Sequence, residues 1–183
     1  MPQRQDQTGL ARQVRHATNN LAAFKPLYQA WVTRVYRYIY SMTRNQADAE
    51  DLTSQTFLTA MQVLSQLREP EKFVSWLFTI ARRKVTDHFR RNSRMMCLDL
   101  FEESSLLADS DEKLTSDQRL LLSKLTGNLS EAEIELLRLR FAAEMSFREM
   151  AELLGMNEST VKRNYYRLLD HLYAQSELKD EKY

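Results

Sequence analysis

The segment Ser146-Phe-Arg-Glu-Met-Ala-Glu-Leu-Leu-Gly-Met-Asn-Glu-Ser-Thr-Val-Lys-Arg-Asn-Tyr-Tyr-Arg-Leu168 has the pattern of a helix-turn-helix. Ala151 is small and stands where two helices must approach each other closely. Gly155 follows at the turn, where a left-handed backbone costs glycine little. Val161 comes next and is expected to face back into the pair. Because the second helix of such a motif commonly enters the DNA major groove, the segment predicts nucleic-acid binding.

The two helices of this motif also carry start signals and a polar outer face. Ser146 with Glu149 has the spacing of a capping box, and Asn157 can cap the second helix. With Val161 on the buried side, a rotation of 100° per residue predicts which residues face outwards. They are Ser159, Lys162, Arg163 and Tyr166, with Thr160 and Arg167 at the flanks. Such side chains suit phosphates and base edges, although a solvated face of a packing module would also accept them.

Composition favours a helical, globular chain and gives no sign of catalysis. The 183 residues include 43% hydrophobic residues, three glycines and three prolines, which fits one or two helical domains. No apolar run or signal core is apparent, so a cytoplasmic location is expected. Cys97 is the single cysteine, which excludes an internal disulfide and a cysteine zinc cluster. Without a nucleophile motif, phosphate loop or metal-ligand cluster, we expect neither an enzyme nor a cofactor.

Hydrophobic periodicity predicts an all-α chain with two small helical domains joined by an acidic linker. Helices are expected at about 21–42, 48–67 and 72–91, and again after residue 115. Phe57 is among the candidate buried residues of the second helix. Ser130 with Glu133 has the spacing of another capping box and is expected to open a helix whose apolar residues include Phe141. The predicted divisions are a flexible tail (1–20), a first domain (21–93), the acidic linker (94–114), a second domain (115–176) and a short tail (177–183).

Charge is distributed unevenly although the net charge is only +1. Residues 68–94 carry eight basic side chains against three acidic ones, whereas residues 99–117 carry seven acidic side chains against one lysine. Basic residues and aromatics alternate in the third predicted helix, a combination that suits single-stranded or distorted nucleic acid. A solvated, self-paired helix face is about equally compatible with that local pattern.

Four segments in this order resemble a bacterial RNA polymerase sigma factor of the extracytoplasmic-function (ECF) group, in the sigma-70 family. Sigma factors of this group have only the second and fourth sigma domains. The matching segments are Phe24–Ile39 (first helix of domain 2), Asp48–Leu58 (polymerase-binding helix), Phe73–Arg91 (minus-10 helix) and Leu129–Leu168 (domain 4). The resemblance implies a sigma factor that initiates transcription with core RNA polymerase and promoter DNA as partners.

The resemblance assigns residues to three surfaces. Contacts to the coiled coil of the polymerase β′ clamp are implied for Asp48, Glu50, Asp51, Ser54 and Phe57. Contacts to the minus-10 element are implied for Trp76, Arg82, Arg83, Lys84, Arg90 and Arg91. Contacts to the minus-35 element are implied for Arg148, Ser159, Thr160, Lys162, Arg163, Tyr166 and Arg167.

Further implications concern the remaining segments and partners. The loop at about 65–72 corresponds to the segment that captures a flipped minus-10 base, and the acidic linker corresponds to the segment that threads the polymerase cleft. Domain 4 is expected at the β flap. An anti-sigma factor is a common partner in the family, but no residue here requires one.

Two other functions fit parts of the sequence. A stand-alone helix-turn-helix regulator would use the same carboxy-terminal module, and a sigma-like interaction module would serve mainly to bind an anti-sigma partner. The segment Asp48–Leu58 and the basic aromatic helix argue against a simple regulator, which needs neither. In an interaction module, Lys162 and Arg163 would be dispensable.

Overall fold

A computed structural model describes residues 7–95 and 127–180, and every regular element in those ranges is helical. The chain divides into two compact units, residues 1–101 and 102–183, each with its own internal packing. This confirms the prediction of an all-α fold with two domains.

In residues 7–95, the described part of the first unit, four α-helices are joined by short 3-10 turns. The helices are α1 (Gln7–Asn19), α2 (Phe24–Thr43), α3 (Gln46–Val63) and α4 (Phe73–Met95). The 3-10 turns are Leu21–Ala23, Leu64–Gln66 and Pro70–Lys72. Helices α2, α3 and α4 pack on one another and form the core.

Aromatic rings dominate this core. Trp31 meets Phe73 edge to face with ring centroids 6.2 Å apart, and Tyr38 meets Phe78 in the same way at 5.3 Å. All four side chains are fully or almost fully buried. Pairs of this geometry contribute about 0.5–1.5 kcal/mol beyond the area they bury. Helices α2 and α4 are therefore fixed against each other, which sets the position of the exposed face of α4.

The amino-terminal segment differs from the sequence-based expectation. The flexible tail predicted for residues 1–20 is wrong over residues 7–19, which form α1. Ala11, Val14 and Ala17 are buried at three-residue intervals, so one helical face docks on the rest of the unit. Two of those residues are alanines among polar neighbours, so the apolar pattern of this helix is weak in the sequence.

Helix boundaries lie close to the predicted ones, with local reasons for each shift. Helix α3 begins at Gln46 rather than Asp48 because the Asn45 side chain accepts a hydrogen bond from the Asp48 amide at 3.0 Å. Helix α4 runs to Met95, slightly beyond the predicted start of the linker. The remainder of the acidic linker and the helix expected near residue 115 lie outside the described residues.

The second unit contains α5 (Glu131–Leu137), α6 (Phe147–Leu154) and α7 (Glu158–Asp180). Both predicted capping boxes are present, at Ser130 with Glu133 and at Ser146 with Glu149. Helix α7 continues to Asp180, so the carboxy-terminal tail expected from residue 177 is helical over its first part.

A π-helical turn, Arg138–Ala142, follows α5 and changes which residues face inwards. The amide of Ala143 donates to the Arg138 carbonyl at 3.0 Å, five residues back rather than four. This wider turn rotates Phe141 to the surface, where it is 63% exposed. The sequence predicted a helix that includes Phe141, and the structure has this wider turn there, so a 3.6-residue period does not place the Phe141 side chain.

The helix-turn-helix matches its predicted geometry. Gly155 ends α6 with φ +65°, in the left-handed region that a helix-ending glycine often adopts. Ala151 and Val161 are buried between the helices. Asn157 precedes α7, and its backbone carbonyl accepts hydrogen bonds from Thr160 and Val161.

Candidate nucleic-acid interface

Helix α7 turns one face into the second unit and the opposite face to solvent. Val161, Tyr165 and Leu168 are buried, as their spacing predicted. The predicted minus-35 residues lie together on the other side. Ser159, Lys162, Arg163, Tyr166 and Arg167 are exposed, and Thr160 is half-buried. The exposed face combines a hydroxyl, a phenol and three cationic groups, which are suitable donors for phosphates and base edges.

Carboxylates lie close to some of the basic groups of this motif. Lys162 Nζ lies 2.6 Å from Glu158 Oε1, one turn earlier on α7. On α6, Arg148 Nε lies 3.3 Å from Glu152 Oε1. Among the described residues Arg163 has no ion pair, and it is exposed. DNA could therefore engage Arg163 without first displacing a carboxylate, unlike its neighbour Lys162.

Phe147, which the sequence analysis did not single out, connects the two helices of the motif. Its ring centroid lies 5.3 Å from that of Tyr165 and 5.9 Å from that of Tyr166. The Arg140 guanidinium and the Lys162 ammonium also lie over this ring, at 5.2 Å and 5.9 Å. The Phe147 ring therefore lies against Tyr166, a residue of the outward face of α7. The available signal was an aromatic residue directly after the Ser146 cap.

Arg167 interacts electrostatically with Glu133, which lies in the first turn of α5. Hydrogen bonds from Ser130, followed by electrostatic interactions with His171 and Arg167, hold the pKa of Glu133 below its ordinary value of 4.5. The Ser130 amide lies 2.9 Å from Glu133 Oε2 and the hydroxyl 2.7 Å. At neutral pH, Glu133 therefore places a negative charge beside the carboxy-terminal end of the outward face of α7.

Helix α4 presents a basic and aromatic outer stripe. Trp76, Arg83 and Arg90 follow at seven-residue intervals, so they lie on one side two turns apart. Both arginines are exposed and Trp76 is half-buried. Arg90 Nη2 lies 3.0 Å from Asp87 Oδ1. The other predicted minus-10 residues flank this stripe: Arg82 on one side, and Lys84 and Arg91 on the other.

Helix α3 presents an acidic outer face. Glu50, Asp51 and Ser54 are exposed. Gln46 Nε2 donates to Glu50 Oε1 at 2.8 Å, and Gln55 Nε2 donates to Asp51 Oδ2 at 2.7 Å. These hydrogen bonds orient both carboxylates. Because the donors are neutral amides, they do not compensate the negative charges.

The fifth residue predicted for this face, Phe57, lies in the core. It is 4% exposed and meets Tyr28 edge to face at 4.9 Å. The next residue, Leu58, is 55% exposed and lies on the same side of α3 as Asp51 and Ser54. Leu58, not Phe57, is therefore the apolar residue on the acidic face. Its position seven residues after Asp51, about two helical turns, was the signal available in the sequence.

Asp48, in the first turn of α3, is oriented towards α4. Its Oδ2 is 3.6 Å from Nε2 of His88, which is mostly buried. His88 also lies 3.0 Å from the Asn92 amide through the same nitrogen. Of the polar residues predicted to bind polymerase, Asp48 therefore has a side-chain contact with α4.

The two units correspond to two models of one protein family. Residues 27–95 match Sigma-70 region 2, and residues 112–172 match Sigma-70 region 4. Together the matches cover most of the chain in the order that the sequence resemblance predicted. This chain is a sigma factor of the sigma-70 family. Sigma factors bind core RNA polymerase and promoter DNA and direct the initiation of transcription.

Curated relatives place this sigma factor in the ECF group. It is similar to the ECF RNA polymerase sigma factor BldN of Streptomyces coelicolor, with 36% identity over 79% of this chain and 57% of BldN. It therefore spans little more than half the length of that relative. It is also similar to the RNA polymerase sigma factor SigV of Bacillus subtilis, with 29% identity over 76% of this chain and 82% of SigV.

Solved structures support the same fold. CnrH, determined with the cytosolic domain of CnrY, aligns with a TM-score of 0.65 and 22% identity over 95% of this chain and 99% of CnrH. The sigma factor RpoE of Bartonella quintana, determined with the anti-sigma factor NepR, aligns with a TM-score of 0.63 and 23% identity over 85% of this chain and 96% of RpoE.

Among residues 7–95 and 127–180, no helix has the length and apolar character needed to cross a membrane. Within the same ranges, histidine, cysteine and acidic side chains form no group that could hold a metal ion.

Proposed function

We propose that this sigma factor is the promoter-specificity subunit of a bacterial RNA polymerase, acts in the cytoplasm and catalyses no reaction itself. One observation carries the assignment. The first unit has an acidic face on α3 and a basic, aromatic stripe on α4, while the second unit has a helix-turn-helix with an outward basic face. A stand-alone regulator would need only the last of these.

The acidic face of α3 is the proposed polymerase-binding surface. Glu50 and Asp51 provide oriented carboxylates, Ser54 is exposed between turns, and Leu58 adds an apolar group on the same side. Interfaces commonly combine such an apolar anchor with a polar rim. A basic surface on the β′ clamp coiled coil is the expected counterpart, and Phe57 supports the face from beneath.

The outer stripe of α4 is the proposed minus-10 surface. Arginines at two-turn intervals can follow a phosphate backbone, and the partly exposed ring of Trp76 can stack on an unpaired base. Binding energy directed at single-stranded DNA favours the open form of the promoter over the duplex. The stripe would thereby assist strand separation without a chemical step.

The outward face of α7 is the proposed minus-35 surface. Residues near its amino-terminal end would meet base edges in the major groove, and the flanking cations would meet phosphates. We also expect the β flap to contact the second unit, and the acidic linker to lie in the polymerase cleft. An anti-sigma factor is a further proposed partner, as RpoE of Bartonella quintana was determined with one.

The test is a titration of full-length protein into core RNA polymerase, scored by comigration. Wild type is compared with Asp51→Arg and with Glu69→Arg, which makes the same charge change at an exposed site away from α3. We expect tight binding that Asp51→Arg weakens at least tenfold and Glu69→Arg leaves intact.

Promoter opening is scored in parallel on duplex DNA. Core binding together with open complexes would support the assignment. Absence of binding to core, with specific duplex binding by the free protein, would instead indicate a conventional helix-turn-helix regulator.

A further inference from the structure

The loop between α3 and α4 is fixed at its ends and exposed between them. Leu64 is buried, and its carbonyl accepts from the Leu67 amide at 3.0 Å. At the other end, the Glu69 carbonyl accepts from the Lys72 amide at 2.9 Å. The exposed polar side chains between these ends are those of Ser65, Gln66 and Arg68. A role for them in reading a flipped minus-10 base rests on the proposed function.

Helix α1 packs against this loop. Its main neighbour is the 3-10 turn Pro70–Lys72, and it also touches the turn Leu64–Gln66. The docked face contains Ala11, Val14 and Ala17, all buried. Because α1 precedes residue 27, it lies outside the segment that matches Sigma-70 region 2. The loop is therefore braced by an element beyond the matched family segment.

An ion pair joins α1 to the same turn. Arg15 Nη2 lies 2.7 Å from Glu71 Oε1, and the two side chains are 65% and 45% exposed. The neighbouring Lys72 lies 2.8 Å from Glu69 instead. A pair this exposed contributes little to global stability. Its structural effect is local, since it fixes the turn of the loop to a helix whose apolar face is already docked.

We propose that α1 positions the minus-10 loop and that Arg15 is a positioning residue for base recognition. By holding Glu71, Arg15 keeps the turn Pro70–Lys72 in the conformation that presents Gln66 and Arg68 to the captured base. A purely structural role for α1 predicts a different outcome. In that case, loss of the ion pair would change thermal stability slightly and leave base preference unchanged.

The experiment uses holoenzyme assembled from core polymerase and the full chain. The probe is a linear promoter library with a randomised minus-10 element, from which open complexes are isolated and sequenced. The variants are Arg15→Glu, Glu71→Arg and the double charge exchange. The matched control is Arg12→Glu, an exposed arginine one turn earlier on α1 with no ion pair among the described residues.

We expect Arg15→Glu to reduce enrichment of the preferred base at one minus-10 position about fivefold, and the double exchange to restore it. Arg12→Glu should behave as wild type, and all variants should bind core equally. Arg15→Gln provides a milder variant, with a smaller shift in the same direction.

A base preference that is equal in Arg15→Glu and Arg12→Glu, or a double exchange that stays impaired, would overturn the positioning role. A different failure separates the two proposals: if wild-type protein neither binds core nor opens any promoter, the proposed function itself is wrong.

Discussion

Lys162 and Glu158 form a 2.6 Å ion pair across one turn of α7, on the face that we assign to the minus-35 element. The adjacent cation, Arg163, has no such carboxylate among the described residues. DNA binding would therefore have to exchange the Glu158 carboxylate for a phosphate at Lys162, whereas Arg163 can bind at once. Lys162 and Arg163 are both exposed, but we expect Arg163 to contribute more to the affinity for DNA.

We predict that Arg163→Ala weakens binding to minus-35 duplex DNA about tenfold, and that Lys162→Ala has a smaller effect. Loss of one phosphate contact should also lower the slope of log affinity against log salt by about 0.9. Glu158→Gln should strengthen binding a few-fold, because it removes the competing carboxylate. Fluorescence anisotropy over a salt series measures all three.

Lys25→Ala is the control for this comparison, since it removes an exposed cation from α2 in the other unit. It should leave duplex affinity within twofold of wild type. An effect of Lys162→Ala as large as that of Arg163→Ala would show that the ion pair does not limit Lys162.

Phe57 and Leu58 are adjacent in sequence but are predicted to have opposite roles. Phe57→Ala removes a buried ring that meets Phe24 at 6.4 Å and Tyr28 at 4.9 Å. It should lower the free energy of unfolding by about 3–5 kcal/mol. Leu58→Ala removes an exposed side chain, so it should hardly change stability and should weaken binding to core polymerase.

Thermal unfolding of the intact protein and the core titration separate the two effects. Thr59→Ala is a suitable control, as Thr59 follows on α3 and is only half-buried. Unchanged core affinity in Leu58→Ala would remove Leu58 from the polymerase-binding surface.

The sequence was most informative where periodicity, caps and turn residues agree. Ser146, Gly155 and Val161 specify the helix-turn-helix independently of one another, and the structure contains each feature as expected. The same consistency located α2 and α4. Local signals of this kind depend on a few neighbouring residues, so a single sequence is sufficient to detect them.

Features that depend on tertiary packing were harder to predict. Helix α1 buries mainly small side chains, so its docking depends on the turn Pro70–Lys72 more than on its own hydrophobicity. Phe141 is exposed because of one wide turn that has no sequence signature. Periodicity placed Phe57 in the core, as the structure has it, whereas the resemblance assigned it to the polymerase-binding surface; the ring of Tyr28 that covers it lies on another helix.

The lowered pKa of Glu133 predicts that this residue stabilises the second unit at neutral pH and not in acid. Hydrogen bonds from Ser130, then electrostatic interactions with His171 and Arg167, lower the pKa of its carboxyl in the folded state. A lowered folded-state pKa gives stability that is present above the unfolded value of about 4.5 and is lost as pH falls through the folded value. Glu133→Gln should therefore be less stable than wild type at pH 7, with a difference that disappears in acid.

Chemical denaturation from pH 7 down to pH 3 tests this expectation. Glu131→Gln removes the same charge from the same helical turn; it gives up an ion pair with Arg138 at 2.7 Å but leaves the capping box unchanged. A stability difference for Glu133→Gln that does not change with pH would show that geometry, not ionisation, provides its contribution.

Gly155 separates backbone strain from steric crowding in the helix-turn-helix. Its φ of +65° is unfavourable for residues with a Cβ, yet a Cβ at this position would have no heavy atom within 4 Å. Gly155→Ala should therefore cost about 1 kcal/mol or slightly more, arising from the left-handed backbone alone. Gly155→Asn should cost less despite its larger side chain, because asparagine adopts this conformation more readily. Thermal unfolding of the two variants decides the cause, since a greater loss of stability in Gly155→Asn than in Gly155→Ala would indicate crowding. The affinity for minus-35 DNA should fall only as far as the turn is distorted.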